Sequence, residues 1–101
     1  MIIEISSIDG FLEELMASQQ PSVVRVDIAT ESENSGVTDV SLTAGFHDEK
    51  YLYEAKFELG TDYVGGPAKA ATEAKSLVAR IKSAAKLKGV ACRTGRYQWP
   101  S

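Results

Sequence analysis

The stretch Asp39-Val-Ser-Leu-Thr-Ala-Gly-Phe-His-Asp-Glu-Lys-Tyr-Leu-Tyr-Glu-Ala-Lys-Phe-Glu-Leu59 decides the fold of this chain. In its first half Val40, Leu42, Ala44 and Phe46 alternate with Asp39, Ser41 and Thr43. In its second half Tyr51, Tyr53, Ala55, Phe57 and Leu59 share a parity, opposite Glu54, Lys56 and Glu58. A period of two is that of a strand with one face buried, so two strands are predicted, joined through His47-Asp-Glu-Lys50. The first buries even-numbered residues and the second odd ones, so partners across the pair must sum to an odd number. A four-residue loop sets Phe46 opposite Tyr51, Ala44 opposite Tyr53 and Leu42 opposite Ala55. A slip of one residue would turn a whole apolar set into water.

Upstream, Val24, Val26 and Ile28 alternate with Arg25 and Asp27, giving a strand that again buries even positions. The polar run Glu31 to Gly36 turns it into the next one. These strands form an antiparallel three-strand meander, apolar on one side and wet on the other.

Further upstream, Ile8, Phe11, Leu12, Leu15 and Met16 recur at the spacing of a helix packed by one stripe. Ser6 with Asp9 has the spacing of a capping box, Gly10 weakens the first turn, and Pro21 ends the helix. Ile2 to Ile5 can add a short leading strand.

Downstream, Gly65 and Gly66 make a turn and Pro67 suits a first helical position. The predicted helix runs to about Lys88, roughly 33 Å at 1.5 Å per residue. Ala70, Ala74, Leu77, Val78, Ile81, Ala84 and Ala85 fall on one arc, with Lys75, Lys82 and Lys86 on the other side. Gly89 is the predicted C-cap. Val90 to Cys92 begin a last strand, which Gly95 interrupts with a bulge.

The expected fold is therefore α+β, a two-layer sandwich of order α-β-β-β-α-β. It comprises the meander plus a C-terminal strand, with both helices on one sheet face. A right-handed crossover makes the last strand parallel to the third strand of the meander. At 101 residues the chain is expected to form one domain. The single cysteine, Cys92, allows no intrachain disulfide and suits a reducing compartment. The amino-terminal run lacks a basic n-region and contains Glu4, so neither a signal peptide nor a membrane anchor is expected, and a cytoplasmic location is.

The net charge of −3 conceals a division: residues 1–65 carry thirteen acidic side chains against three basic ones, and residues 66–101 eight basic against Glu73 alone. Either an acidic sheet and a basic helix attract each other within the fold, or the two halves present different surfaces to partners.

Catalytic chemistry finds little purchase. Nucleophilic catalysis needs a nucleophile beside an oriented base, and His47 at a turn and Cys92 at a strand start are not brought together by spacing. Cys92 reads as a structural thiol and His47 as a solvated turn residue. A metal site would need more histidine or cysteine, the acidic loop is too sparse for calcium, and no phosphate-binding motif occurs. Helix amides after Gly65-Gly66-Pro67 are the one anion-binding candidate. No catalytic residue, metal or cofactor is expected.

Helix, three strands and helix in that order resemble a double-stranded-RNA-binding domain over residues 8–88. In that family the second helix opens with a lysine-rich motif, whereas here Gly66-Pro-Ala-Lys-Ala-Ala71 carries one lysine. The C-terminal strand is a further departure, and the chain is not assigned to the family.

The function expected is a non-enzymatic protein-interaction module of inhibitor, adaptor or immunity type. Asp27, Asp39, Glu54 and Glu58 on the wet face are its candidate contacts for a protein partner. The alternative is a nucleic-acid-binding module using Lys75, Lys82, Lys86, Arg93 and Arg96, with Tyr97 and Trp99 stacking on bases. A competing reading of Tyr97 and Trp99 has them cover the sheet edge. A third expectation is a homodimer through an open strand edge. No membrane association is expected.

Overall fold

A computed structural model of the chain describes residues 1–32 and 36–95. The elements are β1 (Ile2–Ile5), α1 (Ile8–Ala17), β2 (Val24–Ser32), β3 (Val37–His47), β4 (Leu52–Tyr63), α2 (Lys69–Lys88) and β5 (Cys92–Thr94). The expected α-β-β-β-α-β order is present, and the short leading strand is real. One mixed five-stranded sheet forms in the order β1-β4-β3-β2-β5. The meander β2-β3-β4 is antiparallel, while β1 runs parallel to β4 and β5 parallel to β2. The last strand therefore has the expected direction, but it neighbours the first meander strand. The outer edge of β4 is already taken by β1.

Both helices lie on the same sheet face. Phe11 and Leu15 of α1 and Ile81 and Ala85 of α2 share one core with Val24, Val26, Leu42, Ala44, Phe46, Tyr53 and Ala55. The parity argument holds: β2 and β3 bury even positions there and β4 odd ones. A second small cluster joins Val40 to Ala70 and Ala74, where alanines let α2 approach the sheet closely.

The β3–β4 register departs from the expected one by a whole period. Phe46 pairs with Tyr53, Ala44 with Ala55 and Leu42 with Phe57, and the loop is residues 48–51. Asp48 decides this. Its Oδ1 accepts from the amides of Lys50 and Tyr51, each at 2.9 Å, and its own amide donates to the Tyr51 carbonyl at 3.0 Å. The turn is built on Asp48, so Tyr51 becomes a loop residue, 37% exposed. A bulge between the Val40 and Ser41 pairings leaves Leu59 without a direct partner and reverses the parity of β4 beyond it, so Thr61 lies opposite Asp39 and Asp62 opposite Thr38.

Other expectations shift in the same local way. Ser7, not Ser6, is the N-cap of α1, accepting from the Gly10 amide at 3.0 Å. A Cβ on Gly10 would stand 2.9 Å from Ser7 Oγ and 3.2 Å from Ile5, so the glycine permits the cap. Met16 is 44% exposed, outside the buried stripe. Phe57 and Leu77 lie on the apolar faces that alternation and the helix wheel assign them, but are only partly buried and pack on the margin of the core. Gly89 is the left-handed C-cap of α2, with φ of 79°.

At its other end α2 starts at Lys69, with Ala68 as a cap that offers no side-chain bond. Asp62 of β4 replaces it: its two carboxylate oxygens accept from the Ala70 and Ala71 amides at 2.8 and 3.1 Å. Those amides, the anion-binding candidates of the sequence, are occupied by the chain's own carboxylate at the positive end of the helix dipole. Asp62→Ala should lower stability by about 1–2 kcal/mol in chemical denaturation. Asp62→Asn should lose only part of that, and an unchanged midpoint for Asp62→Ala would refute the capping role.

Candidate functional site

The sheet face turned away from the helices carries the acidic candidates. Strand alternation and register arrange its residues in rows. One row reads Glu4, Glu54, Gly45, Arg25 and Arg93 from β1 to β5. The next holds Lys56, Thr43 and Asp27, the third Glu58, Ser41 and Ala29, and the last Thr61, Asp39 and Glu31. Asp27, Asp39, Glu54 and Glu58 are thus brought to one surface, uncovered by either helix. Asp39 accepts from the Thr61 hydroxyl at 2.6 Å, and Glu58 lies 3.7 Å from the Lys56 ammonium with both side chains largely in water.

Two further acids belong to this face and were missed from the sequence. The polar run from Glu31 reads as loop in the sequence, but β2 continues to Ser32, so the odd parity of Asp27 extends to Glu31. Glu4 follows from the alternation of Ile3 and Ile5, once β1 is accepted as a strand. Arg93, read with the basic candidates, pairs with Arg25 and belongs to this face as well. Glu4 stands directly beside Glu54, and Glu31 beside Asp39. Like charges so placed repel across strands.

The basic candidates are divided. Lys75 and Lys82 line a groove of about 520 Å³ on the helix side of the sheet, between α2 and β2. Lys86 lies one turn beyond Lys82 and is exposed. Arg93 lies on the opposite sheet face, so the sheet separates it from the helix lysines. Arg96, Tyr97 and Trp99 lie outside the described residues. Two other basic residues of α2 tie the helices together: Arg80 pairs with Asp9 at 2.9 Å, and the Lys88 ammonium donates to the Met16 carbonyl at 2.7 Å. Attraction between the acidic and basic halves is therefore realised between α1 and α2, while the sheet acids other than Asp27, which also lines the groove, lie on the face away from its lysines.

His47 ends β3, exposed, with its amide donating to Ser22 Oγ at 3.0 Å. Cys92 is half-buried against the core margin, where burial pushes its thiol pKa up and the nearby Lys82 only partly opposes this. A thiol held protonated is a poor nucleophile. The remaining polar cluster joins Asp48, Tyr53 and Ser18 at the carboxyl end of α1. Asp48 Oδ2 accepts from the Tyr53 hydroxyl at 3.2 Å and from Ser18 Oγ at 3.3 Å. Bonds from the Tyr51 amide, chiefly, hold the Asp48 carboxyl below its usual pKa. Burial, and then the Asp48 charge, push Tyr53 up. Each group there satisfies another, which is the arrangement of a structural turn. Among the described residues no cluster of three or more histidine, cysteine or acidic side chains has metal-binding geometry, and no helix is long and apolar enough to cross a membrane.

No protein-family model matches the chain, and no curated protein matches it.

Proposed function

We propose that this chain is a non-enzymatic protein-interaction module whose uncovered acidic sheet face binds a basic surface of a protein partner, as an inhibitor, adaptor or immunity-type protein does. The observation that carries this reading is the collection of six carboxylates, from Glu4, Asp27, Glu31, Asp39, Glu54 and Glu58, on one face left bare by both helices. Repulsion within the pairs Glu4–Glu54 and Glu31–Asp39 lowers the stability of the free chain. A cationic partner would relieve it, so the cost in the free state becomes affinity in the complex. A flat face of one dominant sign also steers encounter over distances comparable to the Debye length.

The test begins with capture of partners from native lysate, with and without nuclease, followed by association kinetics on the partner identified. Glu54→Lys combined with Glu58→Lys should slow association by about tenfold or more and flatten its salt dependence, since exposed charges act chiefly on the on-rate. Thermal stability should not fall, since Glu54→Lys removes the repulsion with Glu4. An unaltered association rate would reduce the acidic face to solvated surface. Loss of all captured material on nuclease treatment would favour the alternative, a nucleic-acid-binding module. That alternative is supported by Lys75 and Lys82 along α2 and weakened by the position of Arg93 on the other face.

A further inference from the structure

Among the described residues β5 covers only the start of β2. It pairs with Val24, Arg25 and Val26 only, and the Gly95 amide closes the pairing on the Val26 carbonyl at 3.0 Å. From Asp27 to Ser32, β2 has β3 on its inner side and no strand on its outer side among the described residues. Ile28 through Ser32 are exposed, Ile28 at 39% although its side chain belongs to the helix-facing set. The groove beside α2 runs along this same edge. Its floor is Val26, Asp27 and Ile28, its wall Val78 and Ala79, and Lys75 and Lys82 stand on the wall two turns apart, two cations against the one carboxylate. Among the described residues neither lysine forms a salt bridge.

We propose that the outer edge of β2 accepts an extended acidic peptide segment of a partner as an added strand, with every second side chain entering the groove toward Lys75 and Lys82. Main-chain bonds to the edge supply a generic affinity, and side chains of one parity supply selectivity. A glutamate suits the groove because its methylenes can lie on Ile28 and Val78 while its carboxylate reaches a lysine. A second copy of this chain fits worse. Edge-to-edge pairing of two β2 strands would bring the lysines of both copies to one seam and Asp27 and Glu31 of both to the other side of it. This surface shares only Asp27 with the acidic sheet face and is tested separately from it.

The experiment is a titration of the full chain, labelled with ¹⁵N, with a capped eight-residue peptide of alternating glutamate and threonine. The matching lysine–threonine peptide is the control. The expected result is saturable shifts of the Ile28 and Thr30 amides with the acidic peptide only, and affinity that falls as salt is raised from about 0.05 to 0.5 M. Lys75→Glu with Lys82→Glu should weaken binding by about tenfold or more, whereas Glu54→Lys with Glu58→Lys should leave these shifts in place. Equal binding of both peptides would overturn the proposal, as would shifts confined to other residues. So would Ile28 and Thr30 amides already protected from hydrogen exchange in the peptide-free chain, which would mean that the chain's own tail or a second copy fills the edge.

Discussion

Phe11→Ala should lower the free energy of unfolding by about 3–5 kcal/mol, the largest effect expected of any single truncation in this chain. Phe11 is fully buried and is the wedge by which α1 enters the core. Its ring meets Phe46 edge-on, at a centroid distance of 5.5 Å and an angle of 73°, and Phe46 stacks on Tyr53 at 4.6 Å and 14°. Removing the first ring leaves a cavity bounded by sheet and helix, neither of which can collapse into it without breaking the other's packing. A domain of this size has only about 5–15 kcal/mol of stability to lose, so Phe11→Leu serves as the companion variant. It should unfold in urea at a midpoint between the other two, with the same denaturant slope as the native chain. A loss below about 1 kcal/mol for Phe11→Ala would show that α1 is not anchored through this ring.

The architecture was legible because alternation is a strong constraint when one sheet face is dry. Leu42, Ala44 and Val26 lie where parity puts them, and the choice between odd and even sums was correct for both pairs of the meander. The offset between Phe46 and its partner was not legible, because parity leaves every second register open. The choice between Tyr51 and Tyr53 fell to the carboxylate of Asp48, whose bonds to the Lys50 and Tyr51 amides are invisible to a count of apolar residues. The helix starts were not legible for a similar reason, whereas the Gly89 C-cap of α2 was. Ser7 and Asp62 cap through geometry, and Asp62 does so from a different element, eight residues before the amide it binds.

The candidate surfaces were legible to the extent that they depended on alternation alone. Asp27, Asp39, Glu54 and Glu58 share a face because each opposes a buried neighbour. The side of Arg93 is not legible from charge along the chain, because a strand sends consecutive residues to opposite sides of the sheet. Cys92 faces the core margin and Arg93 the acidic face, one residue apart. The wheel sets the helix lysines opposite the buried arc, but Lys75 and Lys82 flank it, beside β2 and the end of β5.

Asp48→Ala should cost about 2 kcal/mol at neutral pH, and the cost should shrink in acid. The carboxylate accepts from two backbone amides and two hydroxyls, and its loss strands the Tyr53 hydroxyl at the edge of the core, where an unmet donor is unfavourable. Bonds from the Tyr51 amide first of all hold its pKa below the usual aspartate value. For a carboxylate depressed by folding, the stabilisation is complete above the unfolded-state pKa, near 3.9, and fades as pH falls through the lower folded value. The stability difference between native chain and Asp48→Ala should therefore hold constant from about pH 8 to 5 and narrow below about pH 4. Asp48→Asn separates charge from geometry: it keeps an acceptor for the turn amides, so its loss should be smaller, and its own stability carries no titration at this site. Urea denaturation of the three chains across this range is the measurement. If the difference stayed constant down to about pH 2.5, the turn would be held by packing, and the carboxylate could not be what selects the register of β3 on β4.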